Sequence, residues 1–75
     1  MCIFKLTWQD KQTKFIFMEM FCSTTWCKAL QRFINGIHQI FPDQDKNIIS
    51  LDNQYAYIIN RKSKNQMTIY YDIMT

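Results

Sequence analysis

The chain has 75 residues, 48% of them hydrophobic and 16% aromatic, with one glycine and one proline. Nine Lys and Arg against six Asp and Glu give a net charge of +3. This composition excludes a disordered tail, which is poor in apolar residues, and no run approaches the roughly 18 apolar residues of a membrane-spanning helix.

A chain of this length is read as one domain, residues 1–75. Such a domain buries only about 60% of its unfolded surface, so its core must be rich or a partner must complete it. The start, MCIFKLTWQDK, has no basic leader followed by a long apolar run, so no secretory signal is expected. Cys2, Cys22 and Cys27 are odd in number and are not spaced as a disulfide framework. Together these features point to a cytoplasmic protein with reduced thiols.

Residues 2–8 alternate, with Cys2, Phe4, Leu6 and Trp8 on one side and Ile3, Lys5 and Thr7 on the other, as in a half-buried strand. Gln9–Thr13 is polar and short, which suits a hairpin connection. Residues 14–22 form the second strand, with Ile16, Met18, Met20 and Cys22 on one face and Phe15, Phe17, Glu19 and Phe21 on the other. Both faces are largely apolar. One must meet the helix, and the Phe15, Phe17, Phe21 row, with some of Tyr55, Tyr57 and Tyr70, is expected on the uncovered side.

Ser23–Phe41 is the one clear amphipathic helix. Trp26, Leu30, Phe33, Ile34, Ile37 and Phe41 recur at spacings of three and four, and Ile40 widens the stripe. Ser23, Thr24 and Thr25 are candidate N-caps, and Pro42 ends the helix. The helix would be roughly 25 Å long. Its outer face carries Lys28, Gln31, Arg32, Asn35, His38 and Gln39, with no acidic residue to balance them.

An acidic loop, PDQDK, follows, and residues 47–51 are a short apolar run. That run reads as a third strand, with a short helical turn within residues 43–51 as the alternative. Asp52-Asn53 is a turn. Gln54–Asn60 is strand-like, with Tyr55, Tyr57 and Ile59 opposite Ala56 and Ile58. Arg61–Asn65 is a basic turn, and residues 66–73 close the chain as a strand with Met67, Ile69, Tyr71 and Ile73 opposite Thr68, Tyr70 and Asp72. The order β-β-α-β-β-β predicts an α+β fold: an antiparallel sheet with one amphipathic helix packed on one face.

The constellations that could carry chemistry are sparse. Cys22, Cys27 and His38 fall one short of a structural zinc set, and their spacing is poor. Neither a metal nor a cofactor is expected. Cys27 lies near the helix N-terminus, where a thiolate is favoured, but beside Trp26 and the apolar stripe a buried structural thiol is the commoner arrangement. His38 is the sole histidine and has no sequence-local carboxylate to orient it, so a solvated or partner-facing ring is expected. A metal-independent ribonuclease would draw on His38, Arg32, Arg61 and Tyr70 or Tyr71, but no motif binds them together.

Binding without catalysis fits better. Single-stranded RNA is held by cations along its phosphates and by aromatics stacked on its bases. Lys5, Lys14, Phe15, Phe17, Tyr55 and Tyr57 could form such a face, edged by Arg61, Lys62 and Lys64. Against this, aromatic residues on strands are usually core and a basic turn is usually solvated. A protein contact competes: an uncovered apolar sheet face and a basic helix can dock onto an acidic surface or cap another protein's sheet edge. Five methionines add adaptable interface material. The simplest alternative is a homodimer that buries the same face for stability alone. The residues assigned to contact with nucleic acid or an acidic partner are Lys28, Arg32, His38, Arg61, Lys62 and Lys64, and Lys28→Glu with Arg32→Glu is expected to leave folding nearly intact.

The layout MCIFKLTWQDKQTKFIFMEM, followed by a Trp-bearing helix, resembles the small accessory proteins of large bacteriophages, including phage-encoded antitoxins. The likeness is one of size, low Gly and Pro, Asn/Lys/Ile bias and hairpin-then-helix order, over about the first half of the chain. It includes no functional motif, so no family residues transfer to this sequence. It implies a non-enzymatic inhibitor of a host defence factor, such as a toxin ribonuclease or a CRISPR effector, acting in the host cytoplasm with or without RNA. The alternatives are a free-standing RNA-binding regulator and a ribonuclease toxin.

Overall fold

The computed structural model of the chain describes residues 1–10 and 14–74. Two long strands, β1 (Cys2–Asp10) and β2 (Phe15–Ser23), lead into helix α1 (Trp26–Ile40). The chain then returns through β3 (Ser50–Leu51), β4 (Tyr55–Ile59) and β5 (Gln66–Ile73). All pairs are antiparallel, in the order β2-β1-β5-β4-β3, so the fold is α+β with the helix on one face. No described helix is long and apolar enough to cross a membrane.

The core lies between α1 and that face. β1 supplies Phe4, Leu6 and Trp8; β4 supplies Ala56 and Ile58; β5 supplies Met67 and Ile69. From the helix come Ala29, Leu30, Phe33, Ile34 and Ile37, all buried as the 3.6-residue period requires. Tyr71 and Trp26 close one end, with ring centroids 4.4 Å apart.

The helix is shorter than its sequence suggests. Ser23 remains in β2, paired with Cys2, and the Thr25 hydroxyl caps α1 by accepting from the Lys28 N–H at 3.2 Å. Phe41 leaves helical geometry (φ −124°, ψ 84°) before Pro42, as a residue preceding proline must. Ile40 has the right angle on the wheel but is 58% exposed. The contact at that end is taken by its neighbour Phe41, whose ring lies 5.0 Å from Trp8 and 5.5 Å from Phe15.

Residues 47–51 do not form a full strand. Only Ser50–Leu51 pair with β4, and Gln44 makes an isolated bridge with Asn60. Gln44 is fully buried and pins this segment: its Nε2 donates to the Ile59 carbonyl at 2.6 Å, and its own carbonyl lies 2.6 Å from His38 Nδ1. The segment still follows β4, with the Asp45 and Ile49 N–H groups donating to the Ile59 and Tyr57 carbonyls at 2.9 and 2.7 Å. Of the expected connection Gln9–Thr13, Gln9 and Asp10 belong to β1 and residues 11–13 lie outside the described residues.

The first helical turn contains no acid and places Lys28 three residues after the Thr25 cap. Lys28→Glu would complete a capping box and favour the dipole, raising stability by about 0.3–1 kcal/mol. Arg32→Glu should do the opposite, because the guanidinium lies 5.0 Å over the Phe21 ring and donates to the Cys22 carbonyl at 3.3 Å. Its expected cost is about 0.5–1 kcal/mol. Urea titration of the two single variants checks the opposite signs. Arg32 is therefore a strut between α1 and β2 as well as a surface charge, unlike the purely solvent-facing side chain expected from the wheel.

Candidate functional site

The sheet has one covered face and one open face. Register decides which residues stand on each. Phe17 is opposite Trp8 and Phe21 is opposite Phe4, so the phenylalanines share the helix side with the core residues of β1. Phe33 sits between them, stacked on Phe17 at 6.0 Å and edge-on to Phe21 at 5.8 Å. The expectation that the Phe15, Phe17, Phe21 row lies on the uncovered side is thus corrected. Phe15 itself packs at the margin of the helix side, 5.2 Å from Trp8.

The open face instead carries Ile16, Met18, Met20 and Cys22 of β2, all exposed. Met18 is 53% and Met20 59% exposed, high for side chains in the middle of a strand. Rows cross the sheet from them: Met18 is opposite Thr7, which pairs with Tyr70, which pairs with Tyr55. Ile16 leads similarly through Gln9 and Thr68 to Tyr57. Thr7 is buried in the middle of this face, hemmed by its larger neighbours. Lys5 pairs with Asp72 in the ladder, so the face holds adjacent charges of opposite sign rather than a cationic track.

The aromatic set chosen from sequence therefore divides. Tyr55 and Tyr57 stand on the open face; Phe15 and Phe17 stand on the helix side. The cationic set divides as well. Lys28 and Arg32 belong to the first half of α1, beside the end of β2. Arg61, Lys62 and Lys64 belong to the β4–β5 turn, at the end of the molecule where β5 starts beside the end of β1. His38 joins this second group, since its ring is tied to the Gln44 segment and Arg61 N–H donates to the Asp43 carbonyl. Lys28 and His38 are separated by about 15 Å along the helix.

The turn is built by Asn60, whose Oδ1 accepts from the N–H groups of Lys62 and Ser63 at 3.0 and 2.9 Å. Lys64 sits at φ 64°, a left-handed position unusual for a residue with a side chain. Arg61 is partly neutralised by Asp45 at 3.5 Å. The Asn47 N–H and the Arg61 charge together hold the Asp45 carboxyl below its ordinary value, against a smaller desolvation in the other direction. Of the three turn cations, Lys62 and Lys64 have no ion pair among the described residues.

Chemistry of the catalytic kind finds little geometry here. The His38 ring bonds a backbone carbonyl and not a carboxylate. Cys22 and Cys27 are exposed, so the buried structural thiol expected at position 27 is corrected; Cys2 is half-buried. The reason is angular: Cys27 follows Trp26 by one residue and turns away from the sheet, while Ala29 and Leu30 take the buried positions. Among the described residues no three His, Cys, Asp or Glu side chains converge. An open cavity of about 360 Å³ lies between α1 and residues 46–48, lined in part by Gln31, Asn35 and Lys46. A second, of about 350 Å³, is walled by Trp8, Phe15, Phe41 and Met67, with Asp10 and Asn60.

Sequence reasoning missed Ile16, Met18 and Met20 as surface residues. The signal that separates the two faces is hairpin length. A five-residue connection closed by Trp8 and residue 14 sets even-numbered β2 residues beside Trp8. The actual register pairs Asp10 with Phe15 and leaves four residues between. Trp8 thus meets Phe17 and not residue 14, and a shift by an odd number of residues moves every β2 side chain to the other face. No protein-family model, no characterised protein and no solved structure matches this chain in comparisons of sequence and fold.

Proposed function

We propose that this chain is a non-enzymatic binding protein whose contact surface is the open face of its sheet. The observation that carries this reading is the Ile16, Met18, Met20 row, half or more exposed on a regular strand and continuous with Ile3, Tyr55, Tyr57 and Tyr70. Exposed apolar area of this kind marks contact surfaces, and flexible methionines adapt to a partner's shape. The partner is a protein. An RNA platform has less support, because the stacking rings are divided between two faces and the cations between two ends.

From the resemblance to phage accessory proteins, the expected partner is a host toxin ribonuclease or a CRISPR effector, and the expected effect is inhibition. Tagged wild-type protein and the Met18→Lys/Met20→Lys variant are compared as baits in bacterial lysate, with and without ribonuclease. Wild type should retain a partner after ribonuclease treatment. The double variant should bind that partner at least about thirtyfold more weakly, a loss of about 2 kcal/mol. Its stability should stay within about 0.5 kcal/mol of wild type, since both side chains already face outward. Undiminished capture by the variant would refute the reading, as would a partner lost to ribonuclease.

A further inference from the structure

The open face ends at an edge, and that edge is unusually bare. β2 is the outermost strand on its side and runs for nine residues, whereas the opposite edge, β3, has two. Natural proteins usually blunt long edges with charges, proline or bulges. β2 has no proline, and its only charged residue is Glu19, at its midpoint.

The hydrogen-bonding phase of the edge follows from one contact. The Met74 N–H donates to the Ile3 carbonyl at 2.9 Å, so Ile3 directs its backbone groups toward β5. Alternation along β1 then directs Phe4, Leu6 and Trp8 toward β2, where they meet Phe21, Glu19 and Phe17. Ile16, Met18, Met20 and Cys22 must therefore direct theirs outward. Arg32 confirms the phase, because it reaches the outward Cys22 carbonyl. That guanidinium takes up one group at one end of the edge. Among the described residues nothing takes up the N–H and C=O groups of Ile16, Met18 and Met20.

Glu19 determines what can pair there. In the fullest antiparallel pairing with a second copy of β2, residue 19 is opposite residue 19, at the close, non-hydrogen-bonded type of position. Two carboxylates directly opposite each other oppose that pairing. We infer that the β2 edge receives one extended strand of a partner protein, apolar toward Met18 and Met20 and bearing a lysine or arginine opposite Glu19. This rests on the protein-binding reading above and specifies the partner's chemistry. The strand extends the sheet, and its apolar side chains lengthen the open face.

The probe is a nine-residue capped peptide, Thr-Val-Thr-Val-Lys-Val-Thr-Val-Thr, compared with its counterpart carrying Glu at the centre. The pattern reads the same in both directions. The central residue falls opposite Glu19, and the flanking valines fall opposite Met18 and Met20. By titration at low salt, the Lys peptide should bind about fivefold to tenfold more tightly than the Glu peptide. Glu19→Lys should reverse the preference. N-methylation of the fourth and sixth residues, whose N–H groups meet the edge, should abolish binding. A less than twofold difference between the peptides, failure of both to bind at millimolar concentration, or indifference to N-methylation would overturn the inference.

A second measurement reads the edge without peptide. Glu19→Gln should self-associate at concentrations where wild type remains a monomer. A wild-type dimer that protects the Met18 and Met20 amides from hydrogen exchange would assign the edge to a second copy and overturn the inference. In either failure, loss of partner capture by Met18→Lys/Met20→Lys would still support the open face, so the two readings fail separately.

Discussion

Phe33→Ala should remove a large share of the chain's stability, about 3–5 kcal/mol. Phe33 has no exposed surface and is the helix's main seat on β2, parallel to Phe17 with an interplanar angle of 8° and edge-on to Phe21. Truncating a buried phenylalanine costs about 3–5 kcal/mol, from lost transfer energy and from the cavity left behind. At the usual 0.05–0.15 kcal/mol per residue, a domain of this size holds only about 4–11 kcal/mol in total. The loss is thus a large share of everything available. Urea denaturation followed by circular dichroism measures it, and Phe33→Leu should cost markedly less because most of the volume remains. A Phe33→Ala protein that unfolds at the same midpoint as wild type would mean that the helix does not rest on the Phe17–Phe21 row.

Trp8→Ala should be comparably severe, at about 3–5 kcal/mol, and should also damage binding. Trp8 is 3% exposed and holds the far end of the core, with Phe41 at 5.0 Å and Phe15 at 5.2 Å. Its partner in the ladder is Phe17, so it also secures the register that turns Met18 outward. The indole N–H has no hydrogen-bond partner among the described residues. Trp8→Phe removes that buried donor while keeping a ring, so it should cost much less than alanine. Thermal unfolding of the two variants, beside partner capture at a temperature where each is folded, separates loss of packing from loss of register. Equal damage from Phe and Ala would mean that the site needs the full indole and that a single ring does not hold it.

Both predictions turn on a boundary between what local pattern encodes and what packing settles. The helix was legible because its apolar stripe has a single solution: one face of α1 is apolar and the other polar, so only one rotation buries Leu30, Phe33 and Ile37. β1 and β5 were legible for the same reason, since each has one face clearly more apolar than the other. The element order and the antiparallel arrangement follow from short polar connections between such strands.

β2 was not legible in this way. Phe-Ile-Phe-Met-Glu-Met-Phe-Cys is apolar on both faces, so alternation shows a strand but does not say which row is buried. Hairpin length and the fit of the Phe33 ring between Phe17 and Phe21 decide it. The clustering of charges was beyond the sequence for a related reason. Lys28 and Arg32 are one helical turn apart and stay together, but their distance from Arg61, Lys62 and Lys64 depends on which end of the sheet the last hairpin occupies.

The sequence by itself determined an antiparallel α+β fold, the buried stripe of its helix and an excess of apolar surface that one helix cannot cover. Those properties are set by periodicities of two and 3.6 within single segments. Only the tertiary structure decided that methionine and isoleucine, and not phenylalanine, form the open face, and that β2 is a bare edge with Glu19 at its centre. These depend on register and strand order, which are pairings between distant segments and are chosen by how well the two apolar faces of β2 fit the space beneath α1.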